Sequence, residues 1–495
     1  MAEYFNDHPT YADSLDRIEL IKEVGKHVQL CRPPQVVGVF GDWGSGKTSF
    51  MRSLEVYLAG VDANPTASAL RNMPEEKAEF QGLTAITNAR GTNPVSSVVW
   101  FEAWLYQAED VPIVALLHEI RRQFGPGTQF WEVLEKSARI ALESSLLALE
   151  PLAKAISLLA PVAGFFGKAL GNVPKVAERV ERDRFEVPLS SEQIRVQLNQ
   201  AIKTILQNLE PQGATTRAHP RLTIIIDDLD RCEPAMAIRL LEGLKVFLNI
   251  EHCVFVLGVN PRRLTEHIAN LYRGEAGAED KGPDKYTLAS RDYLDKIIGV
   301  HFTLGIAGKT NDLIKAHMPA VTVTSPTGDK DLKTDLETIL LASPCLPPNP
   351  RRIKAYLATL SRYNGRTFRD EPEPVLLVAF AYLNHFHPEI IRKMQFYSEF
   401  HKEFFKWVMA DQQTGDSSFT GLLPDPRYSG GDLKPGESKF PDPIYENLLH
   451  VHSLLREWAE GSSPLAEKQQ LADDEANGTK QLGSQEIFGD YFLLA

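Results

Sequence analysis

The sequence predicts an α/β fold, a parallel sheet carrying helices on both faces, on the strength of three stretches. The first is Val36-Val-Gly-Val-Phe40, short, apolar and β-branched, which runs into Gly41-Asp-Trp-Gly-Ser-Gly-Lys-Thr-Ser49. Behind it, Phe50, Met51, Leu54, Val56, Tyr57 and Leu58 have the spacing of a helix with one apolar face. The second is Arg221-Leu-Thr-Ile-Ile-Ile226, which ends in Asp227-Asp228-Leu229-Asp230-Arg231. The third follows directly: Pro234 opens a helix to about Leu248, and Cys253-Val-Phe-Val-Leu-Gly-Val259 forms a further strand. Strand, helix, strand is the repeating unit of a parallel sheet.

The remaining elements follow from local pattern. Asp13-Ser-Leu-Asp16 precedes Ile18, Leu20, Ile21, Val24, His27, Val28 and Leu30 at helical spacing, which predicts an amphipathic helix ending before Pro33-Pro34. Residues 60–94, rich in Ala, Asn, Pro, Gly and Thr, predict a surface loop with little fixed structure. Val95 to Trp104 predicts another strand, and 111–210 is helical by pattern, chiefly over 112–124, 130–172 and 190–209. Residues 274–290 read as loop, and Tyr293 to Thr303 as a helix end followed by a strand. From Asn349-Pro350-Arg351-Arg352 the pattern is helical to about residue 410, and Gly, Pro, Ser and Asp dominate 411–443. The expected organisation is a core of 1–104 and 216–345, a helical insertion at 105–215, a helical lid-like region at 346–410, and a linker with a C-terminal helical segment at 411–495.

Chemistry concentrates at two strand ends. Gly41 to Ser49 fits G-x-x-x-x-G-K-[ST], the phosphate-binding loop, in which glycines let successive backbone N–H groups point at a phosphate. A helix beginning at about Lys47 adds its N-terminal dipole to that anion site. On this reading Gly41, Asp42, Trp43, Gly44, Ser45, Gly46, Lys47, Thr48 and Ser49 bind the nucleotide, Lys47 reaches the β- and γ-phosphates, and Thr48 is a ligand of Mg²⁺. Asp227 stands where such proteins place their second Mg²⁺ ligand, after three isoleucines at the C-terminal edge of a strand. Asp228, pointing the other way, is expected to act as general base on an attacking water, which makes the chain an NTPase with Asp228, Lys47 and Asn260 as its catalytic set. Asp230 and Arg231 fit either a helix cap with a local ion pair or direct participation. Asn260 fits both an amide that holds water or senses the γ-phosphate and a residue that turns the chain before Pro261. Arg262, Arg263, Arg351 and Arg352 include candidates for a charge-stabilising arginine, and spacing selects none of them.

Composition narrows the function classes. A net charge of −12 argues against a protein that coats nucleic acid, so a DNA-engaging loader or translocase is an alternative resting only on local clusters such as Arg121-Arg122 and Arg351-Arg352-Ile-Lys354, beside a second alternative, a nucleotide-gated scaffold with little turnover. Cys31, Cys232, Cys253 and Cys345 lie far apart without a C-x-x-C pair, so neither a zinc site nor a disulfide framework is expected, and the setting reads as a reducing cytosol. The N-terminal residues lack the basic-then-apolar pattern of a secretory signal. Ala155 to Gly167 carries no charge over thirteen residues, short of the roughly twenty that a spanning helix needs, so a buried or partner-facing helix is expected rather than a membrane partner. The absence of an N-K-x-D motif leaves adenine and guanine undistinguished, and no cluster of carboxylates with lysine marks a nuclease.

Taken together, Gly41-Asp-Trp-Gly-Ser-Gly-Lys-Thr-Ser49, Trp100-Phe-Glu-Ala-Trp104 with Tyr106, and Ile224-Ile-Ile-Asp-Asp-Leu-Asp-Arg-Cys232 resemble the KAP family of P-loop NTPases. Asn349-Pro-Arg-Arg-Ile-Lys354 resembles that family's Asn-Pro-Arg segment, and the likeness covers about residues 10–365. Lys47 and Asp227 lie 180 residues apart, which requires a large insertion; the family has one, often with transmembrane helices, and this chain departs from it in carrying only the short run 155–167. The resemblance implies ATP and Mg²⁺ as cofactors and an ATPase that couples hydrolysis to an assembly or conformational switch. Bacterial members are associated with phage exclusion and multi-gene antiviral defence, so the implied partners are other proteins of a defence complex, with a homo-oligomer and indirect nucleic-acid contact as further expectations. Trp100, Phe101, Trp104 and Tyr106 fit core packing or a nucleotide or partner contact, and Glu102 between them is placed to face the nucleotide.

Overall fold

The computed structural model describes residues 8–91, 96–107, 112–124, 221–247, 250–273, 284–305, 309–342 and 346–396, with isolated positions 196, 199, 200, 202, 203, 206, 454, 455 and 491. The run 155–167, most of the predicted insertion, the 411–443 linker and Cys345 lie outside the described residues. The chain divides into two compact units, Pro9–Gly305 and the rest.

The first unit is built on a five-stranded sheet in the order β2-β3-β4-β1-β5, formed by β1 (Gln35–Phe40), β2 (Ser97–Glu102), β3 (Leu222–Asp227), β4 (Cys253–Val259) and β5 (Val300–Thr303). Every neighbouring pair is parallel, with Val37 opposite Val256, Ile224 opposite Phe255 and Glu102 opposite Asp227. β3 and β4 are buried along their whole length, and their near-continuous apolar sequences are what a sheet covered on both faces demands.

Side-chain alternation assigns the two faces. Val37, Val39, Val98, Ile225, Val254 and Val256 meet α1 (Ile18–Leu30), α2 (Lys47–Ala59), α3 (Pro65–Leu70) and α4 (Ala78–Arg90). Val99, Phe101, Ile224, Ile226, Phe255 and Leu257 meet α5 (Pro112–Phe124), α6 (Pro234–Phe247), α7 (Pro261–Arg273) and α8 (Asp284–Ile297) on the other side. Helices therefore cover both faces of a parallel sheet, as the sequence predicts. β1 sits between β4 and β5, so the loop at its C-terminal end opens into the crevice where ligands bind in sheets of this kind.

Two stretches differ from their sequence reading. Residues 60–94 contain α3 and α4 instead of a loop; α4 buries only Gly82, Leu83 and Ile86, too narrow an apolar stripe to stand out by periodicity. Residues 284–290, read as loop, open α8, whose apolar positions are diluted by Asp, Lys, Thr, Ser and Arg.

The second unit contains a two-stranded antiparallel hairpin, β6 (Thr322–Ser325) and β7 (Gly328–Asp331), with helices Thr310–His317, Lys333–Ala342, Pro350–Ser361, Pro374–Phe386 and Pro388–Phe396. Its centre is Pro374–Phe386, whose residues 376–383 are all buried. Asn349 caps Pro350–Ser361 by accepting from the Arg352 amide at 3.2 Å, with Pro350 at the first helical position, which explains the Asn-Pro pair in terms of helix initiation. Among the described residues no helix is long and apolar enough to cross a membrane.

Candidate functional site

The loop between β1 and α2 has the shape its glycines predict. Gly44 and Gly46 take φ of 80° and 85°, a region that costs other residues energy, and the turn closes where the Ser45 amide donates to the Asp42 carbonyl at 3.1 Å. Lys47 is buried and folds back over the loop, its Nζ donating to the Gly41 carbonyl at 2.8 Å and to that of Asp42 at 3.4 Å. The ammonium thus lies at the mouth of the ring of backbone amides that a phosphate would occupy. Thr48 and Ser49 continue into the first turn of α2, where Ser49 Oγ accepts from the Thr10 amide at 3.1 Å.

Asp227 closes β3 on the same face of the sheet as α2. It is 1% exposed, and its carboxylate oxygens make no well-formed hydrogen bond, although the Thr48 hydroxyl and the Asp228 amide lie near them. Burial, and then the adjacent Asp228 carboxylate, push its carboxyl up to about 6, against the pull of the nearby Thr48 hydroxyl and Lys47. Its room comes from Gly258 on β4: a methyl there would stand 2.9 Å from Asp227 Oδ1 and 3.2 Å from Met51 Cε. Gly258→Ala is therefore expected to fold with a stability loss of about 1–3 kcal/mol and to weaken Mg²⁺-dependent nucleotide binding, checked by chemical denaturation and ligand titration of one preparation.

Asp228 holds a left-handed conformation, φ 59° and ψ 27°, which is rare for a residue with a side chain and recurs at functional sites. Its Oδ1 accepts from Arg231 Nε at 2.9 Å. Burial raises the Asp228 carboxyl, Arg231 and Lys47 oppose the rise, and Asp230 and Glu102 add to it. The local ion pair of Arg231 is thus with Asp228. Asp230 instead turns inward, 3% exposed, with Oδ2 3.8 Å from Lys47 Nζ and Oδ1 unpartnered.

Asn260 does two things. Its Oδ1 accepts from the Arg262 and Arg263 amides at 3.1 and 3.3 Å, capping α7, while Nδ2 donates to Asp42 Oδ1 at 3.4 Å and so reaches the phosphate loop. Trp43, 48% exposed at the tip of the loop, has the Arg263 guanidinium 4.7 Å and that of Arg231 5.9 Å from its ring centre. The W-F-E-A-W segment splits: Phe101 is fully buried and stacks on Tyr106, whereas Trp104 is 41% exposed. Trp100 lies under Arg52, whose Cζ is 3.5 Å from the ring centre. Glu102 is held beside Asp227 by Arg52 Nη2 at 3.1 Å and Trp100 Nε1 at 3.0 Å, both donating to Oε1.

The structure therefore brings Lys47, Asp227, Asp228, Asn260 and the 41–49 loop to one edge of the sheet, and adds Asp230 and Glu102, which spacing alone left open. The donor set suits a hard divalent cation: Asp227 offers buried carboxylate oxygens without a well-formed hydrogen bond next to a hydroxyl, and Mg²⁺ takes one or two carboxylates while keeping waters and phosphate oxygens. Among the described residues no group of three or more His, Cys, Asp and Glu forms a closed metal cage.

No curated protein matches this chain significantly. The model of the KAP family P-loop domain matches residues 17–365, well over half of the chain, and spans the phosphate loop, the aromatic segment and the acidic strand end described above. The chain belongs to the KAP family of P-loop NTPases.

Proposed function

We propose that this chain is an Mg²⁺-dependent ATPase that serves as the regulatory or motor subunit of a multi-protein bacterial antiphage defence complex. The observation that carries the hydrolytic part is Asp227, a buried carboxylate whose oxygens make no well-formed hydrogen bond, beside Thr48 and Lys47. A buried carboxyl pushed up to about 6 is costly to ionise, and a bound cation would offset that cost. In this reading the amides of 44–48 and Lys47 hold the phosphates, and Thr48 and Asp227 hold Mg²⁺. When bound, Mg²⁺ would neutralise charge developing on the phosphate oxygens. Asp228 orients the attacking water, its carboxylate aimed by the ion pair with Arg231. Asn260 links the loop to the β4 edge through Asp42. ATP as the nucleotide and defence proteins as partners rest on family likeness, and the cytoplasm as the setting rests on the widely spaced cysteines; a homo-oligomer and indirect nucleic-acid contact extend the same reading.

The test is purification from the native operon, with co-purifying proteins identified by mass spectrometry and ATP turnover measured on the same material. Asp228→Asn is expected to keep ATP bound and to lower turnover by about a hundredfold or more. Normal turnover in that variant removes Asp228 from the role. A lone protein that retains nucleotide without turnover supports a nucleotide-gated scaffold, a reading favoured by the engagement of Asp228 with Arg231.

A further inference from the structure

We infer that Arg17, outside both nucleotide motifs, is a direct contact of the bound nucleotide, its guanidinium pairing with the phosphate chain at the outer wall of the phosphate loop. The inference rests on the nucleotide reading above and adds a residue to it. Arg17 immediately precedes α1 and is 8% exposed. A methyl built on Gly46 would lie 3.1 Å from Arg17 Nη1, so the guanidinium rests against the loop residue directly before Lys47. Gly46 adopts its φ of 85° without strain, and its missing side chain leaves the guanidinium in close contact with the loop backbone.

The guanidinium has unmet demands. Nε and Nη2 are buried and make no hydrogen bond. Asp13, the acid whose charge acts on the guanidinium, spends its carboxylate on helix initiation: Oδ1 accepts from the Arg17 amide at 2.7 Å and Oδ2 from the Ile18 amide at 3.3 Å. Burial pulls the guanidinium down to about 10, with the Asp13 charge opposing, so the side chain remains a cation at neutral pH. A buried cation with open donors, set against a loop whose amides are shaped for phosphate, lacks one thing: an anion with several acceptor oxygens. The planar fork of arginine matches phosphate in geometry as well as charge. Leu15 Cδ1, 3.9 Å from the same Gly46 position, is apolar and offers no competing acceptor.

The experiment titrates the full chain with ADP and, separately, with inorganic pyrophosphate, both with Mg²⁺, using wild type, Arg17→Gln, Arg17→Lys and Lys47→Ala, and records thermal unfolding of each ligand-free protein. Arg17→Gln is expected to weaken both ligands by roughly 10- to 100-fold, with Arg17→Lys in between. Its ligand-free unfolding temperature stays level or rises, because an unpaired buried charge has been removed. Affinity unchanged in both Arg17 variants while the ligand-free protein loses stability makes Arg17 a structural residue and overturns the inference. Weakened ADP with unaltered pyrophosphate moves the guanidinium to the nucleoside end and overturns the phosphate assignment. Binding lost in Lys47→Ala and kept in Arg17→Gln rejects this inference alone, whereas a wild type that binds neither ligand rejects the nucleotide reading together with it.

Discussion

Lys47→Ala is expected to reduce ATP binding below detection at millimolar ligand and, as a separate effect, to destabilise the ligand-free protein. The binding effect follows from position: the ammonium stands over the loop, held by the Gly41 carbonyl at 2.8 Å, where the β- and γ-phosphates would lie. The stability effect follows from Asp230, whose side chain is 5% exposed and has Lys47 Nζ 3.8 Å away. Removing one member of a buried pair strands the other, at a cost of about 3 kcal/mol or somewhat more in close pairs, and less at this longer distance. The two effects separate in the double variant Lys47→Ala/Asp230→Asn, which is expected to regain stability without regaining ATP. Urea denaturation and nucleotide titration of the same preparations check both. Equal stability of the single and double variants contradicts the assigned Lys47–Asp230 coupling.

Asp227→Asn is expected to abolish Mg²⁺-dependent turnover, by at least about a hundredfold, while making the metal-free protein more stable at neutral pH. The sign follows from burial. In the folded chain the carboxyl ionises near 6 rather than at the usual 3.8, so between those values the folded form holds a proton that the unfolded form has lost. Stability contributed by the protonated group is complete below about pH 4 and is lost as pH rises through 6. The difference corresponds to roughly 3 kcal/mol at pH 7, an upper figure that the asparagine recovers in part. Unfolding in the presence of a chelator, followed from pH 4 to 8, should show the wild type losing stability over that range relative to the variant. Parallel curves would mean that Asp227 carries no such penalty.

How much of this was legible in sequence depended on how local the signal was. β3 and β4 announced themselves because a strand covered on both faces has nearly every position apolar, and Leu222–Asp227 and Cys253–Val259 fall within about a residue of their expected spans. The phosphate loop was equally plain, since its glycines answer to backbone conformation and its lysine to charge. α4 was missed because three buried residues in thirteen positions leave little periodicity to detect. Asp230 remained ambiguous because the sequence shows an acid next to Arg231, whereas the turn after β3 gives that arginine to Asp228 and sends Asp230 toward Lys47. Arg17 carried no signal at all: an arginine before an amphipathic helix looks like a solvated one until the fold seats it against Gly46.

Whether this edge of the sheet holds Mg²⁺ and ATP between the 41–49 loop and Asp227 is decided by isothermal titration of the purified full chain with ATP, once with Mg²⁺ and once with a chelator, alongside Lys47→Ala. Saturable binding to wild type is expected, weakening at least tenfold without Mg²⁺ and vanishing in the variant, roughly 1.4 kcal/mol or more resting on the metal. Binding of equal strength in all three titrations, or none to the wild type, would contradict that assignment.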